Sequence, residues 1–385
     1  MKFKQGSDML TAASLKQARK GNAMLETIIE DKNLLQKLIG FGTSAAYLSD
    51  KKEIEKLWRE KIDSANLQFP KRLIRHIPAA ALIFGLNFFA RKFISGNGLK
   101  KTLKTIERCR RKGFSVNLDI LGETVLSEKD AERYRDAYVS LIKDIGPRLL
   151  HGELSISLKC SALYSQANPC APEFSAKKIA ERAALIFEAL AYFGGHAYLD
   201  AEEYHFKEIY FEVFKRLYCE YGSSVRTVIQ SYLKTADDTL YRLTRINKTA
   251  DPIWIRLVRG AYWDFECFLA EKHGWSEPPV FKEKADTDYN YRYLFRKGLE
   301  LGFVMVAATH NAESLESFAG LSRETQMLYG LGEKLGATII RRKIPVRIYM
   351  PILYPAGNLT DGIAYLLRRV SETQSSFILK TLKEA

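Results

Sequence analysis

Residues 253–264 read Ile-Trp-Ile-Arg-Leu-Val-Arg-Gly-Ala-Tyr-Trp-Asp, and this stretch decides the fold. An apolar, β-branched run carrying Arg256 and Arg259 stops at Gly260, after which residues 261–270 have helical character. Cationic side chains therefore gather where a strand ends. In α/β proteins the catalytic groups sit at the carboxyl ends of the strands and on the loops that follow, because helices cover the remaining surface.

Outward from this centre the same texture recurs. Short apolar strands are expected at 114–120, 154–160, 197–201, 225–230, 253–259, 303–308, 325–329 and 346–349, separated by helical patterns such as 128–143 and 176–192. Strands alternating with helices in this number suggest a closed (βα)8 barrel of TIM type, which typically takes about 250 residues. An open doubly wound sheet is the alternative. It is weakened because no Gly-x-Gly-x-x-Gly fingerprint follows an early strand.

The 385 residues suit one barrel plus an extension, and 46% hydrophobic with 27% charged residues describes a folded chain without long low-complexity segments. The formal charge of +14 is uneven. Residues 1–112 hold 24 Lys and Arg against 10 Asp and Glu, so the remainder is formally neutral. We expect a basic, mainly helical N-terminal arm over residues 1–80 and a barrel over residues 81–385. The arm carries apolar residues at helical spacing, with Lys51, Lys52, Lys56 and Arg59 on a solvated face. Five cysteines without a CxxC pair suggest neither a disulfide framework nor a metal site, and point to a reducing, cytoplasmic compartment. The N-terminus lacks a signal-peptide core. The most apolar stretch, 77–90, is too short to span a bilayer and contains Pro78 and Asn87.

A barrel of this kind should be polar at its strand ends, and the sequence agrees. Asp119 and Glu123 follow the first strand, Lys159 ends the second, Asp200 the third and Gln230 the fourth. Arg256 and Arg259 end the fifth, His310 and Asn311 follow the sixth, Tyr329 and Glu333 the seventh, and Tyr349 the eighth; Arg368 and Arg369 lie beyond. Singly, Lys159 or Asp200 reads as a satisfied rim residue and His310 as a helix cap. Jointly, arginines, a lysine and a carboxylate on one rim suit an anion such as a small carboxylic acid or a phosphate. Two enzyme classes stay open at this level. Lys159 is either a Schiff-base nucleophile, as in a barrel lyase or aldolase, or one cation among several.

Several motifs carry a resemblance. Ile255-Arg-Leu-Val-Arg-Gly-Ala-Tyr-Trp263, Ser157-Leu-Lys-Cys-Ser-Ala-Leu163, Leu199-Asp-Ala-Glu-Glu203, Ala308-Thr-His-Asn311 and Ala364-Tyr-Leu-Leu-Arg-Arg369 resemble the proline dehydrogenase family and follow its order. Asp119-Ile-Leu-Gly-Glu123 and Val346-Arg-Ile-Tyr349 extend the similarity to roughly residues 80–380. The version resembled is the domain of bifunctional proline-utilisation flavoproteins. The resemblance implies a distorted (βα)8 barrel holding FAD that oxidises L-proline to Δ1-pyrroline-5-carboxylate and passes electrons to a membrane quinone. No aldehyde dehydrogenase domain follows, so a separate pyrroline-5-carboxylate dehydrogenase is expected to complete proline catabolism. The basic arm acquires a role in peripheral contact with the inner face of an anionic membrane. Nucleic acid is not expected as a partner, since no ribbon-helix-helix pattern precedes residue 80.

By the same resemblance, Lys159, Arg368 and Arg369 hold the proline carboxylate, Tyr349, Leu257 and Tyr365 line the ring pocket, Tyr262 closes one side, and Glu123 pairs with Arg368 at the entrance. Asp200, Gln230, Arg256, Val258, Arg259, Gly260, Ala261, Tyr262, Trp263, Lys284, Thr309, His310, Asn311, Glu372 and Phe377 fall on flavin positions, with Gly260 letting backbone approach the cofactor. Lys159, Asp200, Tyr262, Tyr349, Arg368 and Arg369 form the expected catalytic set. There are departures. Arg259 stands where the family usually has Lys, Lys282 where a Thr often meets FAD, and the segment after Tyr349 is longer, so that Tyr354 competes for ring stacking. Tyr349 is preferred for its Arg-Ile-Tyr context, and a tyrosine there favours proline over hydroxyproline.

Overall fold

The computed structural model describes residues 51–63, 94–121, 125–246, 251–318, 320–331 and 333–356. The chain divides into two compact units, one comprising Met1–Arg91 with Leu359–Ala385 and the other Lys92–Asn358. In the first, a helix spans Lys51–Asp63; it buries Trp58 and leaves Lys52, Lys56 and Arg59 exposed, as an amphipathic helix does. The rest of the expected arm lies outside the described residues.

The second unit is a closed barrel of eight parallel strands. They are β1 (Ser115–Ile120), β2 (Ser155–Lys159), β3 (His196–Asp200), β4 (Val225–Gln230), β5 (Trp254–Val258), β6 (Val304–Ala308), β7 (Thr325–Leu328) and β8 (Val346–Leu353). Each pairs with the next, and β8 returns to β1 in a register running from Ser115 beside Arg347 to Ile120 beside Ile352. Each expected strand forms, and β8 runs on to Leu353. The far end of β8 also pairs with a two-residue strand at Gly96–Asn97.

Helices α1 (Leu99–Arg111), α2 (Glu128–Ile145), α3 (Pro172–Tyr192), α4 (Lys207–Tyr221), α5 (Ala236–Thr244), α6 (Trp263–Lys272), α7 (Lys284–Glu300), α8 (Ala312–Ser317) and α9 (Glu333–Arg341) surround the sheet. Local chemistry sets their starts. Ser127 Oγ accepts the Asp130 N–H at the head of α2, and Pro172 opens α3 where no amide donor is needed. Between β5 and β6 the chain makes two helices, α6 and α7, so the loop after the arginine-bearing strand is the largest elaboration of the rim.

Strand residues alternate between two surroundings because successive side chains point to opposite faces. The outward set, including Leu118, Ile156, Leu158, Leu199, Ile255, Leu257, Met305, Ile348 and Met350, packs with Tyr138, Leu141 and Ile142 of α2, Ile186 and Phe187 of α3, and Leu217 of α4 into one apolar core. The inward set is polar on β1, β2 and β3 and mixed on the other strands, with Val304, Val306 and Ala308 pointing inward from β6. Arg256 of β5 reaches Ser157 of β2 and Asp200 of β3, and Tyr349 of β8 reaches Asp200, bonds that only a barrel interior permits.

At the amino-terminal end of the strands, Arg347 Nε donates to both oxygens of Glu324 at 3.0 Å and Nη1 to the Val116 carbonyl at 2.9 Å. Burial pushes the Glu324 carboxyl upward, but the adjoining Arg347 charge and hydrogen bonds outweigh it and hold the group low. Arg226 stacks over Trp254 at 3.8 Å and donates to the Tyr198 hydroxyl at 3.2 Å. Barrels of this class usually fill with bulky aliphatic side chains, and here ion pairs and hydrogen bonds take part of that space beside Val304 and Val306.

Candidate active site

At the carboxyl ends of β1, β2, β3, β5 and β8 the inward side chains converge. Lys159 Nζ donates to Asp119 Oδ1 at 2.7 Å in a buried ion pair. Asp200, beside Lys159 in the β2–β3 register, accepts from Arg256 Nη1 at 2.8 Å through Oδ1 and from the Tyr349 hydroxyl at 2.9 Å through Oδ2. Arg256 is 3% exposed and lies over the Tyr198 ring at 3.8 Å. Both oxygens of Asp200 act as acceptors, which fixes the Tyr349 hydroxyl against the third strand. Tyr354, its competitor for ring stacking, instead donates to Asp144 of α2 at 2.5 Å.

A second cluster follows β5. Arg259 Nε donates to Asp288 Oδ1 at 2.6 Å, Nη1 donates to Thr309 Oγ1, Nη2 donates to Ser314 Oγ at 3.0 Å, and Lys284 pairs with the other oxygen of Asp288. Burial raises the Asp288 carboxyl, yet the two cations outweigh it and keep it low. Here Arg uses three nitrogens on three partners, a fork that the Lys of the resembled pattern could not reproduce. Beneath it Tyr291 donates to the Leu257 carbonyl at 3.0 Å, with burial pushing its phenol upward.

Gly260 has φ +135°, a conformation L side chains rarely adopt, and a Cβ there would meet the buried Tyr232 ring at 2.5 Å. This residue is glycine because of its backbone angle and its neighbour.

The remaining expected positions divide. Gln230 is buried, its amide donating to the Ala201 carbonyl at 3.4 Å; Val258, Ala261 and Tyr262 are partly exposed at the rim. Trp263, half exposed, donates to the Phe281 carbonyl at 2.8 Å. Thr309 Oγ1 also accepts the Asn311 N–H at 3.1 Å. The cap of α8 is Asn311, which accepts the Ser314 N–H at 2.8 Å, so His310 is not the cap. His310 Nε2 instead accepts the Leu328 N–H at 3.1 Å, and burial, aided by the Arg259 charge, drives its pKa down to about 4.

Among the described residues, Leu257, Tyr329 and Glu333 do not join the mouth. Leu257, one position after Arg256 and thus on the opposite face, is buried in the apolar core. Tyr329 and Glu333 turn to the carboxyl end of α1, where they meet Arg108 and the capping residue Lys112. Glu123, Tyr365, Arg368, Arg369, Glu372 and Phe377 lie outside the described residues.

Asp119, Asn117, Ser157, Tyr198 and Asp288 hold the expected residues in place. Asp119 is already among the polar strand-end residues of the sequence; Asn117, Ser157 and Tyr198 share its inward parity, and that parity is the signal that points to them.

Whether these residues suit a flat, acceptor-rich cofactor can be judged from Arg256. Its Nε and Nη2 are buried and have no hydrogen-bond partner among the described residues. Leaving such donors unmatched is costly, and their parallel N–H bonds fit two acceptor atoms side by side. The donor set fits. Among the described residues no group of three His, Cys, Asp or Glu could hold a metal ion.

Comparison with known proteins gives consistent findings. A family model described as proline dehydrogenase matches residues 102–378. The bifunctional protein PutA of Klebsiella aerogenes is 28% identical over 320 residues, covering 76% of this chain and 24% of the relative. Proline dehydrogenase 1 of Bacillus subtilis (strain 168) is 25% identical over 311 residues, covering 78% and 92%. Among solved structures, proline utilization A (PutA) from Bdellovibrio bacteriovorus inactivated by N-propargylglycine superposes with a TM-score of 0.78 at 27% identity, covering 92% of this chain and 38% of that one. The chain spans about a quarter of the length of the bifunctional relatives it matches.

Proposed function

The chain belongs to the proline dehydrogenase family, and on that premise we propose that it oxidises L-proline to Δ1-pyrroline-5-carboxylate with FAD as cofactor. The observation that carries the reading is Asp200 gripping both Arg256 and Tyr349 at the barrel mouth, with the buried Nε and Nη2 edge of Arg256 turned to no protein partner among the described residues. FAD held there would supply the two-electron acceptor that oxidation of the ring C–N bond to C=N requires.

The chain's own residues bind and orient. The open edge of Arg256 offers parallel donors to neighbouring acceptor atoms, and Asp200 holds that edge by Nη1. Tyr349, tied by its hydroxyl to Asp200, would pack on the pyrrolidine ring, and that hydroxyl would crowd a substituted one. The Lys159–Asp119 pair is formally neutral, so it offers the substrate carboxylate hydrogen bonding more than net charge. The resemblance assigns that charge to Arg368 and Arg369, with Glu123 and Tyr365 beside them; Glu372 and Phe377 are its further flavin positions.

Reoxidation by a membrane quinone, peripheral attachment through the basic arm, and a separate pyrroline-5-carboxylate dehydrogenase complete the proposal. None of the described helices is long and apolar enough to cross a membrane. The Schiff-base alternative draws no support, because Lys159 is engaged as a donor to a buried carboxylate.

The test is the visible spectrum of the purified protein, followed by anaerobic L-proline. Flavin bands that bleach are the expected result. Bands that persist would remove L-proline as substrate, and a colourless protein inactive with added FAD would overturn the whole reading.

A further inference from the structure

We propose that Ser157, itself held by Asn117, is a positioning residue that aims the open edge of Arg256. The inference rests on the flavin reading above and concerns how the barrel prepares that one guanidinium.

A guanidinium is planar, and its Nε–H and one Nη2–H lie parallel along a single edge. In Arg256 that edge is the one without protein partners among the described residues, whereas Nη1 is fully engaged. Nη1 donates to Ser157 Oγ at 2.9 Å and to Asp200 Oδ1 at 2.8 Å. Two anchors on one nitrogen, with the Tyr198 ring at 3.8 Å as a floor, fix both the plane and the rotation of the group. The edge then has a single direction.

The two anchors differ in kind. Asp200 is shared with Tyr349 and carries charge, so replacing it changes the electrostatics of the mouth and the ring pocket together. Ser157 is neutral and belongs to a rigid strand. Its hydroxyl also accepts from Asn117 Nδ2 at 2.9 Å, while Asn117 Oδ1 accepts from Ser155 Oγ at 2.7 Å. This short chain runs inside the barrel between β1 and β2, and every member is buried. Removing the Ser157 oxygen therefore leaves the Arg256–Asp200 ion pair in place and frees the guanidinium to turn about it. Orientation is what is lost, and charge is retained.

The experiment compares Ser157→Ala, Ser157→Thr and Ser157→Val in the flavin-loaded full chain. Alanine removes only the oxygen; threonine and valine add the same bulk and differ by the hydroxyl alone. Two readouts are taken: the rate of anaerobic flavin bleaching by L-proline, and the visible circular dichroism of the bound oxidised flavin without substrate. The second reports orientation around the cofactor independently of turnover. The expected result is a rate about tenfold lower in the alanine and valine variants, a KM for proline within about twofold of wild type, and an altered dichroic spectrum, with threonine restoring both. Asn117→Ala, which loosens Ser157 without adding volume, shifts both readouts in the same direction and by less.

Equal behaviour of threonine and valine, or an alanine variant with wild-type rate and spectrum, would overturn the proposal while leaving the flavin reading intact. A wild-type chain that takes up no flavin would overturn both.

Discussion

Arg256 and Gly260 stand four residues apart and show two ways a single position is constrained. Arg256 is set by partners on other strands, and Gly260 by its own φ of +135° and by the Tyr232 ring behind it. Substituting Gly260→Ala adds backbone strain and forces a buried ring aside, effects that together cost about 2–4 kcal/mol. Chemical unfolding should show that loss, with a lower ratio of flavin to protein absorbance because the turn between Arg259 and Tyr262 must shift; an unchanged midpoint would refute it. Residue identity at the mouth was legible where a motif carried it, as at Lys159, Asp200 and Arg256. It was not legible for Asp119 as the partner of Lys159, or for Ser157 and Tyr198, because partner choice depends on strands meeting across a closed barrel. Leu257 shows the opposite failure, since a motif position next to Arg256 turns to the helices by strand parity.

At the scale of elements the sequence was most informative. Each strand was announced by a short apolar run, and closure followed from eight of them alternating with helices. The runs hid one fact: outward residues are nearly all apolar while inward ones are largely polar, and a short segment read for hydrophobicity alone merges the two. The tips of β7 were misjudged for a related reason, since Tyr329 and Glu333 lie beyond its last paired residue and swing to α1. The two ends of the barrel have different work. At the amino-terminal end, Arg347 and Glu324 form a buried pair one inward layer below Tyr349, and neither touches Asp200. Replacing Glu324→Gln leaves a buried guanidinium without its counter-charge, and we expect a loss of about 3–5 kcal/mol in stability with the KM for proline unchanged within about twofold. Denaturant titration and steady-state kinetics on one preparation would separate these, and a KM rise without destabilisation would show that the division is wrong.

For the whole molecule, the buried histidines dictate how stability follows pH. His310 is held down to about 4 by burial and then by Arg259, and His196 well below its ordinary 6.5 by burial and then by Arg226, Arg347 and Arg256. Above about pH 6.5 both are neutral in either state and the folded chain keeps its full stability. As pH falls from about 6.5 to 4 the unfolded chain takes up protons that the folded chain refuses, so stability falls, by about 3 kcal/mol for His310 alone. Glu324 and Asp288, held low in the folded state, lose their contribution only below the carboxylate range. Urea midpoints should therefore drop between about pH 7 and 5, and His310→Asn should reduce the slope; a flat midpoint across that interval would contradict the assignment. The polar filling of the barrel bears on temperature as well. Melting hydrates that filling, and hydrating polar surface lowers heat capacity where apolar surface raises it. A barrel packed this way gains less heat capacity on melting than an aliphatic-filled one of equal length, so its free energy curves less, giving a broad plateau that extends further toward the cold.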